Sequence, residues 1–298
     1  MTKNNPLVSC VVPSYKRCDT LQRAIDSIVN QTYTNIEVLV VDDNEKGDEY
    51  SVALASIVGG YANDNRVRLV LQDKHINGAA ARNAGVNAAR GEYIAFLDDD
   101  DEWLPTKIEK QVRFILSNPQ YGGVGCLSDI YCENKLKNKG KIDNVDVNVF
   151  NILRRRVDIG NCAFFCRKDV LLQFGGFDER LKRGQDLQLL SDFVNISPIY
   201  VIQESLVRIN SDSVINRPTI DNHEILVKSF LQSRAYLLDA LSKSERKRVI
   251  SAYYFELAYT AIKNKAFCKA FKYLVCVGPN MRCYIDLFER YKARRFQS

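Results

Sequence analysis

Apolar and polar residues alternate along the first hundred positions in blocks whose length and period define the elements. Leu7 to Val12 is an apolar, β-branched run that ends at Pro13, which predicts a buried strand. Asp19 or Thr20 can cap the helix that follows, in which Leu21, Ile25, Ile28 and Val29 recur at helical spacing. Ile36 to Val41 repeats the strand pattern and stops at Asp42, Asp43 and Asn44. A helix through Val52 to Val58, a strand at Val67 to Leu71 and a helix at Ala79 to Ala89 come next. A strand at Tyr93 to Leu97 and a helix from Pro105 to Leu116 complete the series.

Strand and helix in strict order predict an α/β fold: a Rossmann-like, mostly parallel, doubly wound sheet with flanking helices. Ligands bind such sheets in the crevice at the carboxyl ends of the strands. Ser14 and Tyr15, Asp42 and Asp43, and Asp98 to Asp101 end three of the strands and should face one crevice.

From about Gly122 to Asn210 the pattern loosens. Gly123 to Cys132, Asn161 to Cys166 and Ile199 to Val201 read as strands around the turn-rich segment Gly175 to Glu179. Lys135 to Asp146 is polar, rich in Lys and Asn, and reads as a mobile excursion. From about His223 the pattern is helical, with Tyr, Phe, Leu and Ala on one face and Lys and Arg on the other. The expected division is an α/β domain over 1–215, in two halves that meet at about 101–102. A basic amphipathic helical region over 216–298 follows.

Composition adds two constraints. The nine cysteines fall in apparent strands and helices, and Cys162 and Cys166 have no second pair to complete a zinc site, so reduced thiols in a cytoplasmic protein are expected. The N-terminus has no signal-peptide pattern, and no apolar stretch reaches the roughly 20 residues that cross a bilayer. The net charge of +6 is uneven: from Asp221 onward 15 Lys+Arg face 7 Asp+Glu, a surplus of +8 that leaves −2 for the rest. Basic, aromatic helices can lie on an anionic membrane surface. Tyr253, Tyr254, Phe255, Phe267, Phe271 and Arg294 to Phe296 are the candidates, unless they pack the helices onto the catalytic domain or form a homodimer interface.

Four successive carboxylates at Asp98 to Asp101 repel one another. A hard Mg2+ or Mn2+ ion relieves that repulsion and can bridge to a diphosphate. The competing explanation is a solvated acidic loop at the positive end of the next helix. Ionised Asp43 can accept from a uracil imide or a ribose hydroxyl, or simply end its strand. Tyr15 can stack on a base or pack at the rim, and Arg82 can hold a diphosphate or lie in solvent. No G-x-G-x-x-G follows a strand, which disfavours a nicotinamide dehydrogenase, and no Gly-rich loop after the first strand supports a nucleotidyltransferase. His75 and His223, the only histidines, have no suggestive neighbours and receive no role, so a general base must be a carboxylate.

Taken in order, the motifs resemble the inverting glycosyltransferases of family 2, which have the GT-A fold, in their bacterial surface-polysaccharide form. The resemblance runs through VSCVVPSYKR at Val8–Arg17, VVDD at Val40–Asp43, ARNAG at Ala81–Gly85 and GEYIAFLDDDD at Gly91–Asp101. It ends with GGFDE at Gly175–Glu179 and Gln185–Asp186, and covers about residues 6 to 210.

That resemblance implies that 1–215 is a GT-A catalytic domain, with a nucleotide-sugar-binding half over about 1–101 and an acceptor half over about 102–215, and it implies roles. Asp43 would bind the uracil, with Pro13 and Tyr15 lining its pocket and Arg17 and Arg82 completing the nucleotide-sugar site. Asp98 and Asp100 would form the D-x-D metal pair for Mn2+ or Mg2+, with Asp99 beside the ribose and Asp101 serving the next helix. Asp186 would be the catalytic base. The implied partners are a UDP-sugar donor (UDP-glucose or UDP-galactose) and a GlcNAc- or GalNAc-diphosphate-lipid acceptor at the cytoplasmic face of the inner membrane. No nucleic acid is implied. Two positions depart from the family pattern: Gln185 stands where Glu is usual, and Asn210 where His is usual. The alternative is a non-catalytic nucleotide-sugar-binding scaffold of the same fold, which retention of Asp43, Asp98, Asp100 and Asp186 disfavours.

Overall fold

A computed structural model of the chain describes residues 5–72, 74–142, 146–157, 159–211, 218–278 and 284–285. Its first half is the predicted alternation: β1 (Val8–Ser14), α1 (Leu21–Val29), β2 (Ile36–Asp42), α2 (Glu49–Gly59), β3 (Val67–Leu71), α3 (Gly78–Ala88) and β4 (Tyr93–Phe96). In the sheet β3, β2, β1 and β4 lie side by side in that order, and all three pairings are parallel. β2 is buried on both faces, as an apolar strand between helical layers must be.

Small residues set the spacing of α3. A Cβ at Gly85 would approach Val11 Cγ1 to 2.3 Å and Val41 Cγ2 to 3.1 Å, so only glycine lets the helix lie this close to β1 and β2. That approach seats Arg82, one turn earlier, against the end of β4.

Beyond β4 the sheet is mixed. It continues through β8 (Phe165–Arg167), β6 (Gly123–Cys132), β9 (Ile199–Asn210) and the two-residue β5 (Glu102–Trp103). β8 is antiparallel to β4 and β6, β9 is parallel to β6, and β5 is antiparallel to β9. Three expectations for this middle region change. The strand expected at Ile199 to Val201 extends to Asn210, because pairing with β6 and β5 sustains it where its sequence turns polar. The strand expected at Asn161 to Cys166 is a 3-10 turn (Asn161–Ala163) leading into β8. The excursion expected at Lys135 to Asp146 begins as β7 (Lys135–Asn138), a hairpin on β6. Its turn residues Glu133 and Asn134 both take positive φ, the backbone twist that two-residue hairpins favour. Residues 143–145 of that segment lie outside the described residues.

α4 (Lys107–Ser117) covers this half of the sheet and buries a charge. Lys107 is fully buried; its ammonium donates to Gln111 Oε1 at 2.8 Å and lies 4.1 Å from the centroid of the Trp103 ring. Gln111 in turn donates to the Val124 and Ala163 carbonyls, both at 3.0 Å. α5 (Val149–Leu153), α6 (Lys168–Gln173) and α7 (Gln185–Ile196) complete the region before the C-terminal helices.

The helical C-terminal region consists of α8 (Ile220–Ser233), α9 (Ala235–Ala240), α10 (Lys243–Lys263) and α11 (Phe267–Val277). Its buried side chains, Phe230, Leu237, Tyr253 and Leu257 among them, join the same hydrophobic core as the sheet. Tyr253 therefore packs inward, 5.8 Å from the Phe230 ring, and Tyr254 stacks on Tyr273. Phe267 and Phe271 are 66% and 71% exposed. Arg294 to Phe296 lie outside the described residues. Among the described residues, no helix is long and apolar enough to cross a membrane.

One buried ion pair ties these helices to α7. Arg234, between α8 and α9, pairs with Asp192 and lies 3.7 Å from Asp178 Oδ2. Asp192 also accepts from Gln188 Nε2 at 2.8 Å and from the Tyr236 hydroxyl. Removing one member of a buried pair strands the other charge. Arg234→Leu should therefore cost about 3–5 kcal/mol, read as a lowered midpoint in denaturant unfolding.

Lys107 gives a pH-dependent expectation. Burial lowers its pKa from the ordinary 10.5. Between the lowered folded value and 10.5 the unfolded chain binds the extra proton, so this group makes stability rise with pH. Lys107→Met should remove that rise, and denaturant melts at successive pH values from neutral toward 10.5 in both proteins would show it.

Candidate functional site

The parallel register brings the strand ends to one edge of the sheet. Ser14 is opposite Asp42, Asp42 is opposite Leu71, and the Leu97 N–H donates to the Val11 carbonyl at 3.0 Å. Pro13 lies opposite Val41, one residue before this rim.

Two successive aspartates at the end of β2 have different tasks. Asp42 holds the turn, accepting from the Asn44 N–H at 3.0 Å, Asn44 Nδ2 at 2.8 Å and the Ser51 hydroxyl at 2.6 Å. Asp43 faces the crevice. It accepts from Gln72 Nε2 at 2.9 Å and the Ile76 N–H at 3.3 Å, and its second oxygen is 3.0 Å from His75 Nδ1. Burial raises the Asp43 pKa above the ordinary carboxylate value, against the pull of those donors. The His75 ring stacks on Tyr15, with centroids 3.8 Å apart and planes 15° apart. His75, given no role from sequence, thus joins Asp43 and Tyr15 in one cluster. Its signal in the sequence was only its place two residues before Asn77, the N-cap of α3.

The four carboxylates after β4 are held one by one. Asp98 is ion-paired to Arg82. Asp99 accepts from the Ser14 hydroxyl at 2.7 Å and lies 3.5 Å from Arg17 Nη1, while Asp100 pairs with Arg17. Asp101 turns inward, accepting from the Asn210 N–H at 2.9 Å and from the Cys162 thiol at 3.2 Å. This corrects the role expected of Asp101 at the start of the next helix. α4 begins only at Lys107, beyond β5, and Asp101 is drawn into the core by β9. Burial, with some help from the neighbouring carboxylates, pushes Asp99 up to about 6 and Asp101 up to about 8.

Asn210, where the family pattern has His, braces this loop. Its Nδ2 donates to the Asp100 carbonyl at 2.9 Å and to Glu102 Oε1 at 3.2 Å.

The ligand atoms of Asp98, Asp101 and Cys162 lie within 4.8 Å of one another. Burial keeps the Cys162 thiol protonated well above its ordinary pKa, and it donates to Asp101, so it suits a hard ion poorly. Asp98 and Asp100, both part-exposed, are the carboxylates that face the crevice, and each is now neutralised by an arginine. That donor set fits Mg2+ or Mn2+ better than the Cys162 cluster does.

Arg82 joins the two sides of the site. It is nearly buried; besides Asp98, its Nη1 donates to the Gly78 carbonyl at 3.1 Å and reaches Gln185 Oε1 at 3.5 Å. Burial opposes its charge, but Asp98 outweighs burial and Asp186 adds to the effect, so its pKa is held above the ordinary value. Asp186 is therefore within electrostatic reach of the crevice, in the first turn of α7. Gln185 anchors that turn, its Nε2 donating to the Leu181 carbonyl at 2.8 Å.

The segment Gly175–Glu179 fixes α7 against α3. Phe177 N–H donates to Asn83 Oδ1 at 2.9 Å, and Asn83 Nδ2 donates back to the Phe177 carbonyl at 2.9 Å and to Glu179 Oε1 at 2.8 Å. Gly176 has φ +77°, and a Cβ there would meet Asn83 Oδ1 at 2.7 Å, so the turn requires glycine.

Known proteins are similar to the chain in sequence and in fold. Over 241 residues the chain is 28% identical to WfgD of Escherichia coli, a UDP-Glc:alpha-D-GlcNAc-diphosphoundecaprenol beta-1,3-glucosyltransferase. The alignment covers 67% of this chain and 92% of that protein. S. aureus TarS 1-349 in complex with UDP-GlcNAc superposes with a TM-score of 0.63 at 17% identity, covering 84% of this chain and 72% of that one. The mannosyltransferase PcManGT from Pyrobaculum calidifontis, in complex with GDP-Man and Mn2+, gives 0.61 at 17% identity, covering 97% and 81%. At such identity the two structures speak for the fold alone, which is GT-A. The family model for glycosyl transferase family 2 matches residues 9–181, more than half of the chain, which includes the strand ends, the acidic loop and the glycine turn but stops short of Gln185, Asp186 and Asn210, and the chain belongs to that family.

Proposed function

We propose that the protein transfers a hexose, with inversion, from a UDP-sugar to a hydroxyl of a lipid-diphosphate-linked saccharide in surface-polysaccharide assembly. The observation that supports this reading is the bridge at Arg82, which pairs with Asp98 of the acidic loop and reaches Gln185 Oε1, the residue before Asp186 at the start of α7, at 3.5 Å. UDP-glucose is the first donor to test, since WfgD uses UDP-Glc on a GlcNAc-diphosphate lipid, and UDP-galactose is the second.

Each residue follows from its place. Asp43 accepts from the uracil imide, and Tyr15 and His75 offer the stacked rings at the base pocket, with Pro13 on the strand beneath. Asp99, fixed by Ser14, would hold the ribose. Arg17 and Arg82 present guanidinium groups to the diphosphate. Asp98 and Asp100 would hold Mn2+ or Mg2+, which supplies positive charge to the departing diphosphate. Asp186 takes the proton from the acceptor hydroxyl as its oxygen bonds to the anomeric carbon and the bond to UDP breaks. One in-line displacement converts an α-linked donor into a β-linked product.

Asp186→Asn should cut transfer by roughly 100- to 10,000-fold while UDP affinity, measured by calorimetry, stays within a few-fold. Transfer at the wild-type rate would remove Asp186 from the mechanism. Chelation by EDTA should abolish transfer, and added Mn2+ or Mg2+ should restore it in the wild type but not in Asp100→Asn; undiminished turnover in EDTA would exclude the metal role.

The exposed stripe Phe267, Phe271 and Val275 recurs every four residues on α11, with Lys272 on the same helix. It supports peripheral contact with an anionic membrane surface. Phe271→Glu should reduce co-sedimentation with phosphatidylglycerol vesicles. A wild-type chain that stays in the supernatant and sediments as a dimer would assign the stripe to a second copy instead.

A further inference from the structure

Asp43, the acceptor proposed for the uracil imide, is closed off in this structure: its side chain is only 2% exposed. Its first oxygen already accepts from Gln72 Nε2 at 2.9 Å and from the Ile76 N–H at 3.3 Å. Its second oxygen lies 3.0 Å from His75 Nδ1, which is also 3.0 Å from the Asp43 backbone carbonyl. A carbonyl and an ionised carboxylate both accept, so these partners assign the proton to Nδ1, and His75 is the donor.

The same imidazole covers Tyr15. The two ring centroids are 3.8 Å apart with planes at 15°, which is direct stacking. A base between them would hold the rings at about 7 Å, twice the contact distance of roughly 3.5 Å, so none fits as they stand. One ring therefore takes the face of Tyr15 that lies toward Asp43 and donates an N–H to that carboxylate. A flat ring with an N–H on its edge is also what a uracil presents. His75 is free to leave where its neighbours are not. Its side chain is 32% exposed, and it lies in the connection between β3 and α3. The connection is pinned just beyond it at Asn77, whose Oδ1 accepts from the Ala79 and Ala80 N–H groups at 2.9 and 3.1 Å and whose Nδ2 donates to the Glu179 carbonyl at 2.8 Å. The imidazole can turn outward while α3 stays in place.

We propose that His75 is a placeholder for the nucleobase: in the empty site its imidazole fills the position between Tyr15 and Asp43, and a uridine nucleotide binds by displacing it. The proposal rests on the reading of Asp43 and Tyr15 as the base pocket of a UDP-sugar site. It has a thermodynamic consequence. Only molecules whose His75 has turned outward can take the base, so the apparent affinity is the intrinsic affinity reduced by that fraction. In exchange, the closed position keeps the second oxygen of a buried carboxylate hydrogen-bonded when no nucleotide is present.

The chain has only two histidines, so NMR of the full-length protein with labelled histidine can follow the displacement directly. In the free protein the His75 ring protons should resonate upfield, because they lie over the Tyr15 ring. Saturation with uridine or UDP should move them downfield, toward the positions of an exposed histidine. His223, whose Nδ1 is 2.8 Å from the Thr260 hydroxyl, should not move. Calorimetry gives a second readout. His75→Ala should bind uridine and UDP about three- to tenfold more tightly than the wild type, because the competing contact is gone. A His75 signal that stays upfield at saturation, or weaker uridine binding by His75→Ala, would overturn the proposal and make His75 a fixed wall of the pocket. The NMR measurement uses the wild-type chain, so it decides the question even where the variant fails to fold. Failure of both uridine and UDP to bind either protein is a separate outcome: it would overturn the base-pocket reading of Asp43 and Tyr15, and the placeholder with it.

Discussion

The site is organised around a buried guanidinium. Taking Arg82 out of water costs several kcal/mol unless its charge and its N–H groups are answered. Asp98 answers the charge, and the Gly78 carbonyl and Gln185 answer further N–H groups. Its guanidinium therefore links the end of β4, the start of α3 and the start of α7, the two sides of the crevice. Gly85 makes the arrangement possible by letting α3 lie against β1 and β2.

The same requirement explains how four adjacent aspartates are tolerated. Each is turned toward a different partner: Asp98 to Arg82, Asp99 to Ser14, Asp100 to Arg17, and Asp101 to Asn210 and Cys162. Asp98 and Asp100 stay part-exposed while Asp99 and Asp101 are buried, which separates their chemistry, because burial favours the neutral acid. Burial pushes Asp101 up to about 8 and so favours its neutral form, which eases the repulsion on the crevice-facing pair. Cys162 and Asn210 therefore belong to the structure of the acidic loop rather than to its surface.

The C-terminal helices are bound into the same logic. Arg234 and Tyr236 converge on Asp192 of α7, whose Gln188 also donates to the Gly176 carbonyl, and this chain of buried polar contacts runs from α9 to the glycine turn that receives Asn83. The helix bearing Asp186 is thus positioned from both sides, by the GT-A sheet and by the helical region.

Periodicity alone determined the first half of this protein. Strands buried on both faces must be apolar throughout and amphipathic helices must repeat at about 3.6 residues, so Leu7 to Leu116 could be read element by element. Parallel connectivity then implied that the polar residues at Ser14, Asp43 and Asp98 would share one edge, as their register shows. The order of the motifs gave the family. What sequence could not decide were pairings between distant residues. β9 persists to Asn210 because β6 and β5 flank it, a long-range condition that local polarity conceals. His75 gained its place beside Tyr15 and Asp43 only when α3 docked and brought the preceding loop over the strand ends. Asp101 looked like its three neighbours until burial set it apart. Likewise the basic tail was one amphipathic pattern in the sequence, and packing divided it between a core face at Tyr253, a cavity wall at Lys263 and an open stripe at Phe267 and Phe271. Local spacing specifies which elements form, whereas the partner of each polar or aromatic side chain is chosen by whichever residues the assembled fold brings within a few ångströms of it.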